Sequence, residues 1–129
     1  GWRGTVLHIA RKAASLMIEA YDCDPTQLVA GIGPSISQAA FEVGEEVVKA
    51  FQMAGFPMER ILRRNAETQK AHIDLWETNR LQLLEAGLLS GHIEIAGICT
   101  YIRYEDYFSA RRLSVKSGRI LTGICLKKS

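Results

Sequence analysis

The chain has 129 residues, of which 47% are hydrophobic and 23% charged, and its formal net charge is +2. That length suits one domain with a real core and is short for two, and the composition is ordinary for a soluble globular protein. A charge of +2 is too small to point to nucleic acid, and no apolar run approaches the roughly 20 residues needed to span a bilayer.

The first residues that pattern as an element are 5–21, TVLHIARKAASLMIEAY, which read as one amphipathic helix. Val6, Ile9, Ala10, Ala13, Met17 and Ala20 share a stripe, opposite His8, Arg11, Lys12, Ser15 and Glu19. His8 therefore belongs with the charged residues and is expected at the surface. Asp22-Cys23-Asp24-Pro25 breaks the helix, because proline disfavours helical backbone in the residue before it.

Residues 28–33 read as a short buried strand ending at Gly33-Pro34-Ser35. A second helix is expected over about 42–54, with Val43, Val47, Ala50 and Phe51 inward. Pro57 opens a helical turn through Leu62. A third helix, about 75–86, follows Asp74, whose carboxylate is placed to cap it with Glu77 three residues on. Gly87 supplies the left-handed stop. Residues 93–98 alternate like a strand, 100–118 form a polar, aromatic loop, and 119–126 form the last strand. The sum is an α+β fold, a mixed β-sheet with packed helices.

The three cysteines, Cys23, Cys99 and Cys125, are odd in number and widely spaced. They make neither a disulfide framework nor a Cys-x-x-Cys metal knuckle, so reduced thiols in a cytoplasmic protein are expected. Cys125, in an apolar run, is expected to be a small core residue. Cys99 ends a strand and could act as a thiolate nucleophile with His72 lowering its pKa; the alternative is a structural thiol. His72, His92 and a cysteine lack the short local spacing of a zinc site.

Gly31-x-Gly33 has neither the dinucleotide continuation nor a following Lys-Ser/Thr. The loop is either a tight turn or a set of backbone N–H groups open to an anion. Tyr107-Phe108-Ser109-Ala110-Arg111-Arg112, followed by Ser117-Gly118-Arg119, places arginines beside a serine and two aromatics. Guanidinium forks and ring faces suit a phosphate, a carboxylate or a purine. A structural Arg–carboxylate pair is the competing account. Two other basic groups, Arg60 with Arg63 and Arg64, and Lys127 with Lys128, read as solvated surface charge.

Taken in order, several of these stretches resemble the laccase-domain family, also called the YfiH or multicopper polyphenol oxidase-like family. They are Gly1-Trp2-Arg3-Gly4-Thr5, Gly33-Pro34-Ser35-Ile36, Phe41-Glu42-Val43-Gly44, and Asp74-Leu75 with Asn79, Gln82 and Leu83. Cys99-Thr100, Phe108-Ser109-x-Arg111-Arg112 and Gly118-Arg119 complete the series. The chain departs from the family pattern at Ala110, where an aromatic is usual, and at Leu113, where an acidic residue often follows the arginines.

The resemblance implies purine nucleoside phosphorylase activity on adenosine, inosine or methylthioadenosine, with adenosine deamination as a second activity. It implies zinc, or copper, in the parent protein. The family's metal-binding histidines and cysteine fall upstream of Gly1, so no metal ligand is assigned to this chain. The chain lacks an initiator Met, opens unlike a signal peptide, and is expected to be residues 1–129 of the C-terminal part of one laccase-type domain. By itself it is expected to be inactive, and to associate with the N-terminal segment or with itself. No catalytic residue is assigned; Arg3, Ser109, Arg111 and Arg112 are the expected contacts to the purine nucleoside and phosphate. Two other readings stay open: a non-catalytic purine- or partner-binding module, and a thiol-dependent hydrolase using Cys99 and His72.

Overall fold

Helix breaks, caps and two small sheets organise the computed structural model, which describes residues 1–127. The first expected helix is two: α1 (Trp2–Val6) and α2 (Ile9–Tyr21), separated at Leu7 and His8. His8 takes a left-handed conformation, φ 59°, which for an L residue costs about 1–2 kcal/mol. Tertiary contacts offset that cost. The His8 ring stacks on Phe56, centroids 4.5 Å apart and planes 20° apart, and its Nε2–H donates to the Ala54 carbonyl at 3.1 Å. His8 is thus half-buried and bound, not a surface histidine; helical periodicity placed it wrongly because it assumed the helix runs straight through.

Helix α2 buries Ala14 against Leu88 and Ile93. Three of its larger apolar side chains, Ile9, Leu16 and Met17, are exposed. After a 3₁₀ turn at Pro25–Gln27, capped by the Asp24 side chain, β1 (Ala30–Ile32) pairs in parallel with β5 (Ile93–Ile95).

The second sheet is antiparallel, with β4 (Ala71–Ile73) between β2 (Glu42–Val43) and β3 (Leu62–Arg64). The architecture is α+β, its parallel and antiparallel pairings divided between two sheets. Helix α3 (Glu45–Met53) starts three residues later than its periodicity suggests, because Glu42 and Val43 are taken by β2. Val47, Val48 and Phe51 of α3 are buried with Phe41, Phe56, Ile61, Ala71, Ile73 and Leu75, forming the main core. The short α4 (Met58–Ile61) follows Pro57 as expected.

Helix α5 (Leu75–Glu85) begins as its sequence dictates: the Asp74 carboxylate accepts from the Glu77 N–H at 3.0 Å. Gly87 ends it at φ 104°. The 100–118 segment holds one further turn, α6 (Ala110–Leu113), capped by the Ser109 side chain, which accepts from the Arg112 N–H.

The expected strand over 119–126 is absent: these residues have no regular structure, and Leu121 is 97% exposed. Its alternating apolar pattern meets the side-chain requirement of a strand, but a strand is stable only with a neighbour to complete its ladder. Cys125 is exposed for the same reason, which corrects its expected place in the core. Lys128 lies outside the described residues. Among them, no helix is long and apolar enough to cross a membrane.

Candidate functional site

A cavity of about 520 Å³ opens where α1, α5, the Gly33–Ile36 loop and the segment around α6 meet. Arg3, Ser109 and Arg111 all line it, although over a hundred positions separate the first from the last in sequence. Arg119 lines it too, and among the described lining residues there is no Asp or Glu. The wall is therefore cationic and rich in donors, since a guanidinium carries five N–H groups and no acceptor.

Each arginine is held by an identifiable contact. The Arg3 guanidinium lies over the Trp2 ring, 4.8 Å from its centroid, and Trp2 packs against the core residue Phe51. Arg111 donates to the Glu42 carbonyl at 2.9 Å and lies over the Phe41 ring at 5.1 Å. One Nη1–H of Arg119 is turned to the Gly118 carbonyl at 3.1 Å. Phe108 closes onto Gly118 so tightly that a Cβ there would come within 2.7 Å of the ring, which explains a glycine before this arginine.

Arg112 is placed differently. Its Nε–H and Nη2–H donate to the Tyr101 carbonyl at 3.3 and 3.1 Å, and its guanidinium lies over the rings of Tyr101 and Tyr104, 4.2 and 4.4 Å from their centroids. This arginine braces the aromatic loop. Ser109 is buried, and its Oγ accepts from the Arg112 N–H at 3.3 Å; it lines the cavity while starting α6.

Pro34 and Ser35, in the turn after β1, also line the cavity. Ser35 Oγ accepts from Trp76 Nε1 at 2.7 Å and donates to the Gly33 carbonyl. The Ser35 N–H is taken by the Ile98 carbonyl, so that donor is not open to an anion. Asn79 of α5 also reaches the cavity. Sequence reading overlooked it as a contact because an isolated Asn on a helix has no local signature; its partner Thr5 is 74 residues away. Arg119 was visible in the Ser-Gly-Arg run but had no partner to direct it.

Cys99 is buried and accepts from the Ser37 N–H at 3.3 Å. Burial pushes its thiol up, but hydrogen bonds from Ser37 and from the Ile102 and Tyr101 backbones together hold it below the ordinary value. His72 Nδ1 bonds to the Gln38 carbonyl at 3.0 Å. Among the described residues no hydrogen bond joins Cys99 to His72, and each has a separate backbone partner. Among the described residues no three His, Cys, Asp or Glu side chains gather where they could hold a metal ion.

Comparison with known proteins places this architecture. The chain is 56% identical over 128 residues to a purine nucleoside phosphorylase of Bacteroides thetaiotaomicron, covering 99% of this chain and 47% of that protein. It is 44% identical to adenosine deaminase RL5 from an unknown prokaryotic organism, over 98% of this chain and 48% of that protein. The chain thus spans about half the length of the curated relatives it matches. The crystal structure of YlmD from Geobacillus stearothermophilus superimposes with a TM-score of 0.75 at 34% identity, covering 87% of this chain and 42% of that one. The Bacillus licheniformis YfiH structure gives a TM-score of 0.78 at 29% identity, over 87% of this chain and 42% of that one. The family model for multi-copper polyphenol oxidoreductase laccase matches residues 1–127, and the chain belongs to that family.

Proposed function

We propose that this chain supplies the phosphate- and nucleoside-binding wall of a purine nucleoside phosphorylase acting on adenosine, inosine or methylthioadenosine. One observation carries the proposal: three arginines, Arg3, Arg111 and Arg119, share a cavity whose described lining has no carboxylate. Phosphorolysis needs a phosphate oxygen held against the sugar's anomeric carbon and charge stabilised on the departing purine. Fixed guanidinium groups serve the first need by geometry and charge together. The names of the relatives, purine nucleoside phosphorylase and adenosine deaminase, support the substrate class and a second, deaminating activity.

The same reading makes residues 1–129 the C-terminal part of one laccase-type domain, supported by a chain that spans about half of its relatives. Zinc, with copper as the alternative, belongs in this proposal to the whole enzyme and is held by residues outside this chain. The exposed apolar side of α2, including Leu16 and Met17, supports docking of the rest of that domain or self-association. The free thiols of Cys23, Cys99 and Cys125 support a cytoplasmic location.

The test is a graft. This chain replaces the matching 128 residues of the Bacteroides relative, and purine release from inosine is followed with and without phosphate. Phosphate-dependent release by the graft, with none from this chain alone, is the expected result. A folded graft that releases no purine, while the unaltered relative does, overturns the proposal.

A further inference from the structure

The geometry points to a purine-base subsite in a second cavity beside the arginine cavity, with the base stacked on Phe108. The inference rests on the phosphorylase reading above and adds to it the place of the base.

The second cavity has a volume of about 400 Å³ and adjoins the first, since Phe108, Arg119 and Ile120 line both. That volume lies within the range of small-ligand sites, which are typically aromatic with a few polar groups. Tyr104, Glu105, Asp106 and Tyr107 also line it.

The two linings differ in charge. Arg3, Arg111 and Arg119 share the first with no carboxylate among its described residues, whereas the second has two acidic residues and one arginine. An anion is therefore favoured in the first and opposed in the second, because like charges brought together cost free energy. A neutral ring with N–H donors at its edge has the reverse preference: carboxylates accept from it, and guanidinium groups cannot. A phosphate and a purine base are thus sorted into neighbouring cavities.

Of the three rings that line the second cavity, two are held by arginines. The Arg112 guanidinium lies over Tyr104, 4.4 Å from its centroid, and that of Arg103 over Tyr107 at 5.6 Å. Among the described residues neither a guanidinium nor a second ring stacks on Phe108, which is 53% exposed. Its neighbours nevertheless fix it. Ser109, next in sequence, is buried and caps α6, and the Phe108 ring closes onto Gly118. An exposed ring that is already anchored offers a stacking surface at little ordering cost. The same short run leads into α6, whose Arg111 lines the first cavity. Base and phosphate contacts are thereby held on one continuous piece of chain.

The experiment is a binding titration on the 129-residue chain, read by NMR, with inorganic phosphate and hypoxanthine added separately. Hypoxanthine is expected to shift the Phe108 ring signals and the backbone N–H signals of Glu105 and Tyr107. Phosphate is expected to shift the Nε–H signals of Arg3 and Arg111. Phe108→Ala, checked for a native-like spectrum, should weaken hypoxanthine about fivefold or more, the scale of a base–aromatic stack. Phe108→Tyr should stay within about twofold, and both variants should keep phosphate affinity within about twofold. Hypoxanthine binding that moves Ser35, Ile36 and Thr100 but not residues 105–108 overturns the inference, as does an unchanged affinity in folded Phe108→Ala. Phosphate binding without hypoxanthine binding also overturns it, and leaves the arginine–phosphate reading standing. Hypoxanthine at Phe108 without phosphate binding supports the stacking site and overturns the phosphorylase reading. Absence of both overturns both.

Discussion

Gln82 caps a helix to which it does not belong: its Oε1 accepts from the Arg11 N–H of α2 at 3.2 Å. Its Nε2 meanwhile donates to the Thr5 carbonyl at 2.9 Å. The break at His8 leaves α2 without a side-chain cap of its own, and a fully buried amide from α5 fills that role. One side chain thus joins α1, α2 and α5, the frame on which Arg3 and Asn79 are mounted.

Gln82→Leu keeps the volume and removes both bonds, leaving the Arg11 N–H without this acceptor. A loss of about 1–3 kcal/mol is expected, read as a lower urea midpoint at unchanged slope. A midpoint equal to that of the wild type would show that the cap contributes nothing.

Gly87 ends α5 at φ 104°, and a Cβ there would come within 2.9 Å of Pro25. Gly87→Ala combines backbone strain with a contact against a rigid ring, and should cost about 1–3 kcal/mol. Thermal unfolding is the measurement. Gly55 is the control: it also has positive φ, 87°, but nothing within 4 Å of an added Cβ, so Gly55→Ala should cost less.

Glu77 and Arg80 form a two-pronged pair on α5, with both bonds at 2.8 Å. The Arg80 hydrogen bonds hold the Glu77 carboxyl below its ordinary value. Because the folded pKa is the lower one, the pair's stabilisation is present above the unfolded value, about 4.3, and is lost as pH falls through the depressed folded value. Glu77→Gln should therefore be less stable than wild type near neutral pH, the gap closing under acid. A gap that persists unchanged to the most acid pH at which both fold would contradict the ionic origin.

Arg111 and Arg112 are adjacent in sequence and placed differently, Arg111 in the cavity wall and Arg112 against Tyr101. Arg111→Ala should weaken phosphate binding by about tenfold or more, and Arg111→Lys should restore part of it, since lysine keeps the charge but not the fork. Arg112→Ala should change phosphate affinity less. It should instead raise amide exchange in the Tyr101–Tyr107 loop that Arg112 now braces. Equal effects of the two alanine variants on phosphate would refute this division.

The features legible without the fold are mostly local: the Asp74 cap, the Gly87 stop, the Pro57 start and two inward residues of α3, Val47 and Phe51, together with the α+β class. The cap, stop and start each depend on residues a few positions apart, and similarity in residue order added the laccase-domain family. Tertiary structure decided the rest. It broke the first helix at His8, because stacking on Phe56 outweighs the periodicity that ran through it. It left 119–126 without regular structure, because a strand requires a neighbour as well as a pattern. It also placed Arg111 in the cavity wall and Arg112 against Tyr101, and put Asn79 and Arg119 in the lining. Those assignments depend on contacts such as Asn79 to Thr5 and Arg111 to Glu42, 74 and 69 residues apart, and contacts at that range leave no local signature in a single sequence.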